Sequence, residues 1–169
     1  MKKILKSGVY ACVIALCFGC SPSRYISKKS NKLVNNIHAK ADTIYFFNSD
    51  DYKFLWYYKD NTMYSFGITP YKVITYTPKM IKNIAISSEE LKYYFDDSFD
   101  KDVPCFHRML DGFGIEIYIK NQGTLNSSID LDCLFSKKYD ENSFPYQLQH
   151  ALSLIFISEK PKFDKLYGK

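Results

Sequence analysis

A chain of 169 residues that is 46% hydrophobic and 24% charged can bury one core of its own, and it does not read as disordered. Seven Gly and six Pro are too few for a fibrous or low-complexity protein, while 15 Tyr and 13 Phe favour strands, because aromatic side chains suit a pleated surface. The formal charge of +5 is uneven: residues 20–40 hold five basic residues and no acid, whereas residues 41–169 hold 15 basic and 18 acidic, a net of −3, which argues against a nucleic-acid-binding globule.

The N-terminus reads as an address. Lys2, Lys3 and Lys6 precede Gly8–Gly19, twelve residues without a charge. That length suits the apolar region of a signal peptide and is too short to span a bilayer as a helix. The run ends at Gly19-Cys20-Ser21. Residues 1–20 thereby resemble the class II signal peptide of bacterial lipoproteins, of the kind found in the Bacteroidota. In that family a small residue precedes a Cys that is diacylated before cleavage and becomes the mature N-terminus. Leu16 stands four residues before Cys20, where the family prefers an aliphatic residue three before. The resemblance implies a palmitate-bearing Cys20 tied to membrane lipid after removal of residues 1–19. Ser21 and Pro22 replace the Asp that often marks inner-membrane retention, which points to the outer membrane. The absence of acid from residues 21–40 points to its periplasmic leaflet.

Residues 20–40 are rich in Ser, Asn and Lys and read as a basic tether with some order near Leu33–Ile37; a single domain then occupies 41–169. Arg24, Lys28, Lys29, Lys32 and Lys40 beside an anchor would be drawn to anionic head groups, or would simply keep a linker soluble. Thr43–Asn48 and Tyr52–Tyr58 are β-rich runs, and Lys59-Asp60-Asn61-Thr62 supplies a turn before Met63–Ile68. Pro70 breaks that strand, Lys72–Thr77 alternates into another ending at Pro78, and Asn83–Ile86 adds a short one. Ser87 and Glu90 have capping-box spacing before a short helix at about Ser88–Phe95.

Two further strands are predicted, Phe113–Ile119 and Ile129–Phe135, separated by an Asn121-Gln122-Gly123 turn. In the second, Ile129, Leu131, Cys133 and Phe135 would share one face. Ser143 and Pro145 then open a final helix whose Phe144, Leu148, Ala151, Leu152, Ile155 and Phe156 form one apolar stripe. The class is α+β: an antiparallel sheet of about five to seven strands, a short middle helix, and a C-terminal helix packed on one face.

Candidate chemistry is sparse. With the signal removed and Cys20 acylated, Cys105 and Cys133 remain. In an oxidising compartment they would form a disulfide closing about 28 residues, or stay as two small buried hydrophobes. Cys105-Phe106-His107 places a thiol and an imidazole two apart, but a nucleophilic pair needs an orienting third group, for which only Asp111 lies near in sequence. Asp96, Asp97, Asp100 and Asp102 read as a solvated acidic loop, since they lack the spacing of a calcium loop. His150 falls on the side of the last helix away from its apolar stripe, and His38 lies in the tether. Trp56-Tyr57-Tyr58 make both faces of one strand aromatic, so one face is core and the other is either covered as well or an exposed binding surface. No catalytic motif, metal site or cofactor site emerges. The expectation is a lipid-anchored cell-envelope protein that is not an enzyme and contacts another envelope component. The alternatives are a periplasmic immunity or inhibitor protein, and a small hydrolase.

Overall fold

The computed structural model describes residues 22–49, 52–81, 86–95, 105–107 and 113–167. Strands β1 (Thr43–Asn48), β2 (Lys53–Lys59), β3 (Thr62–Ile68) and β4 (Val73–Thr75) pair antiparallel in sequence order. Lys59 pairs with Thr62, leaving only Asp60 and Asn61 between β2 and β3, at φ 50° and 56°. Two left-handed residues give the turn twist that matches a two-residue hairpin, and Asp and Asn accept that backbone more readily than most residues do. Strand β5 (Lys79–Met80) pairs with the first residues of β3. Strands β4 and β5 therefore run along the same edge of β3, with a one-residue register shift between them. Pro78 sits at the break and has no N–H to give to the ladder.

The other half of the sheet comprises β6 (Phe106–His107), β7 (Gly114–Ile119) and β8 (Gly123–Ile129). Strand β7 pairs with the free side of β1, and β8 with β7; β6 closes the far edge. The order is β4-β3-β2-β1-β7-β8-β6, antiparallel throughout, with β5 beside β3. The class is the predicted α+β.

Alternation along the central strands divides the core in two. Tyr45, Phe47, Phe54, Trp56, Ile115 and Ile117 face one way, while Ile44, Phe46, Leu55 and Tyr57 face the other. The first face is covered by three helices, α2 (Ser88–Phe95), α3 (Leu131–Ser136) and α4 (Phe144–Leu154), through Leu91, Leu134, Leu148 and Leu152. The predicted stripe on α4 is buried as its spacing implies: Phe144, Leu148, Leu152 and Ile155 are each at most 1% exposed. A π-helical turn, Ile155–Glu159, joins α4 to α5 (Lys160–Tyr167). It ends two residues before Pro161, whose ring would crowd the carbonyl four residues back in a regular α-helix.

The second face corrects the expected tether. Residues Pro22–Ile37 form a 16-residue helix, α1. Ile26, Val34 and Ile37 are buried against Ile44, Phe46, Leu55, Tyr57 and Ile68. The spacing of those apolar residues follows a helical face, which buried Ser30 shares by donating to the Ile26 carbonyl, while Ser27, Lys28, Asn31 and Lys32 are exposed. The body therefore begins by Pro22 rather than near Ala41, and the molecule has three layers.

A second correction concerns residues 129–135. The strand is Gly123–Ile129, and a short helix follows it. Asp130 accepts the Cys133 backbone N–H at 2.9 Å and caps α3, and Asp132 lies in its first turn, where negative charge is favourable. Leu134 is fully buried and Phe135 is 40% exposed, the reverse of the alternating reading. The predicted Asn83–Ile86 strand falls largely outside the described residues.

Candidate functional site

Cys105 and Cys133 are joined by a disulfide, with Cα atoms 5.3 Å apart. Cys105 sits at φ 71°, immediately before β6, and its carbonyl accepts the Asp130 N–H at 3.0 Å. The bridge thus fixes edge strand β6 to the start of α3. In the chain-entropy picture, closing a loop of this length contributes about 3–4 kcal/mol. Because Cys105 Sγ is bonded, it is no free thiol for a Cys–His pair. The side chain of His107, Asp111 and the acidic run Asp96, Asp97, Asp100 and Asp102 lie outside the described residues, as does Cys20.

The aromatic triplet is not an exposed platform. Trp56 is 1% exposed and stacks on Tyr45, with ring centres 5.6 Å apart and planes at 13°. Tyr57, on the opposite face, is 5% exposed and stacks on Tyr64 at 5.1 Å and 9°. Tyr58 packs edge-on to Tyr45 at 5.9 Å. Both faces of β2 are covered, one by α4 and the other by α1. Burial raises the Tyr58 hydroxyl pKa far above its usual range; the neighbouring Tyr45 adds to this and a hydrogen bond with Trp56 opposes it. Burial raises that of Tyr45 as well. A crevice lined by Tyr45, Trp56, Tyr58, Phe144, Gln147 and Leu148 is too narrow to admit a water molecule. Trp56 and Tyr57 are core, and Tyr58 packs against it, partly buried.

Among the described residues, no three His, Cys, Asp or Glu side chains lie close enough to hold a metal ion. His150 is exposed, as expected, with its ring 6.2 Å from Tyr146. One acid lies deep in the fold: Glu159, on the π-helical turn, is 1% exposed and paired with Lys79 at 3.3 Å. Glu116 receives hydrogen bonds from Asn48 and from Lys53, the latter at 3.2 Å. Both acids tie elements together.

What the fold leaves facing outward is the polar side of α1. Ser27, Lys28, Asn31, Lys32, Asn35 and Asn36 are exposed, and the helix contains no acidic residue. Lys29, on its flank, donates from Nζ to the Pro70 carbonyl at 2.9 Å. That contact brings the β3–β4 turn beside the helix, with Tyr71 82% exposed next to Pro70. The basic residues were visible as a charge run; their placement on one side of a docked helix was not. The periodic Ile26, Leu33, Val34 and Ile37 carried that signal. No protein family, curated protein or solved structure matches the chain. Among the described residues, no helix is long and apolar enough to cross a membrane.

Proposed function

We propose that this chain is a lipid-anchored cell-envelope protein, acylated at Cys20, whose α+β body serves as a non-enzymatic binding or structural module toward another envelope component. The reading places it at the outer membrane facing the periplasm. The observation that carries it is the charge-free run Gly8–Gly19 ending in Gly19-Cys20. The start of α1 at Pro22 supports it, since the body then begins two residues after the acylated position. The disulfide is in keeping with an oxidising compartment. Several acyl chains anchor a protein stably where a single one holds it only marginally. The non-enzymatic part rests on the Cys105 thiol being consumed in a disulfide and on the aromatic triplet packing in or against the core.

Metabolic labelling with a clickable palmitate tests the anchor. Wild type should incorporate the label and Cys20→Ala should not; equal labelling of both would overturn the reading.

A further inference from the structure

Helix α1 uses its apolar side against the sheet and turns Ser27, Lys28, Asn31, Lys32, Asn35 and Asn36 to solvent. We infer that this outward side of α1 is a docking face for an anionic phospholipid bilayer, against which the body lies flat. The inference rests on the anchored reading above for its biological setting, because an acylated Cys20 would hold α1 within two residues of the head groups.

Four observations carry it. Lys28 and Lys32 are exposed one helical turn apart, on a helix about 24 Å long, so they can meet head groups together. Between Pro22 and Ala41 there is no acid to oppose them, and Lys40 continues the same sign past the helix end. In sequence, the rest of the chain is not basic: residues 41–169 are net −3, so the positive excess that follows Gly19 lies in residues 20–40. Exposed Tyr71, on the turn held to the flank of α1 by Lys29, is of the residue type enriched at the bilayer interface. Because Ile26, Val34 and Ile37 are buried in the core, the apolar side described for this helix is already occupied and is not available to insert. The contact is therefore electrostatic and superficial, unlike that of an amphipathic helix sunk into the acyl region.

The test uses the mature chain from Cys20 onward with Cys20→Ser, so that binding is read without acyl chains. Co-sedimentation with phosphatidylethanolamine–phosphatidylglycerol vesicles is compared with phosphatidylcholine vesicles. Binding should be confined to the anionic vesicles and lost near 1 M salt, where the screening length falls to about 3 Å. Each lysine near an anionic surface is worth about fivefold in binding, so Lys28→Gln with Lys32→Gln should weaken it about 25-fold. Lys137→Gln with Lys138→Gln removes the same charge just after α3, on the far layer, and should change binding less than twofold.

Equal weakening by the two pairs would overturn the proposal, as would binding no stronger to anionic than to neutral vesicles. Preference for an oligonucleotide over vesicles at matched phosphate would overturn it too. None of these outcomes bears on acylation, which the palmitate experiment decides separately.

Discussion

Glu90 joins two helices with one side chain. Its backbone N–H donates to Ser87 Oγ at 3.0 Å, which caps α2, while its carboxylate accepts the Phe144 N–H at 2.8 Å, at the first residue of α4. Ser143, which precedes α4, makes no side-chain cap there; its hydroxyl donates to the Asp140 carbonyl instead. A carboxylate at a helix N-terminus meets both an orphan donor and the positive end of the dipole. Glu90→Ala should therefore cost about 1–2 kcal/mol and Ser143→Ala less than about 0.5 kcal/mol, read from urea unfolding midpoints. Comparable losses in the two variants would show that Glu90 is not the cap. The starts of both helices were legible because their signals are local, although only Ser87 caps through its side chain and the expected Ser143 cap is not made. The partner of Phe144 was not, because Glu90 lies 54 residues away in sequence. The two ion pairs Lys79–Glu159 and Lys120–Asp42 differ in the same physical way. Glu159 is buried, whereas the Lys120 and Asp42 side chains are 46% and 85% exposed. Lys79→Met should cost on the order of 3 kcal/mol by removing the ion-pair partner of a buried carboxylate, and Lys120→Met should stay within about 0.5 kcal/mol. A small loss at Lys79 would mean that Glu159 keeps enough compensation from its other contacts.

At the scale of elements, α1 and α4 cover opposite faces of one sheet, and both docking contacts can be measured. Leu152 is fully buried under α4, and Leu152→Ala should cost about 2–5 kcal/mol. Ile26, near the start of α1, is 4% exposed, and Ile26→Ala should cost roughly 2 kcal/mol or more. A loss below about 0.5 kcal/mol at Ile26 would return residues 22–37 to the status of a tether. The α4 stripe was readable because six apolar residues recur at helical spacing. In α1 the same signal is carried by few apolar residues among many Ser, Asn and Lys, so composition masks periodicity. The error at Ile129–Phe135 has another cause. I-D-L-D alternates as a strand does, yet an Asp that can cap competes with pairing, and the disulfide holds Cys133 on a helix beside β6. The strand that does exist, Gly123–Ile129, is rich in Ser, Thr and Asn, and its register comes from pairing with β7 rather than from its own pattern.

For the whole molecule, the abundance of tyrosine becomes a pH property. Burial is the main cause that raises the hydroxyl pKa of Tyr45, Tyr57, Tyr58, Tyr94, Tyr118 and Tyr139 above the usual value. Below about pH 10 these groups are protonated in both folded and unfolded chains, so they leave stability unchanged. Above it the unfolded chain releases protons that the folded chain retains, so stability falls as pH rises. Urea midpoints should therefore drop steeply beyond about pH 10, and part of the tyrosinate absorbance should appear only with unfolding. Complete ionisation at the ordinary pH with native circular dichroism intact would contradict this. The broken edge formed by β4 and β5 has a consequence for molecules crowded together at a surface. Strand addition needs an unbroken row of free backbone groups. Here one border of the sheet changes register at a proline, and the other carries the two-residue β6, clamped by a disulfide, over the end of β8. Among the described residues, the proline-broken border gives neighbouring copies, however dense, no long template on which to polymerise.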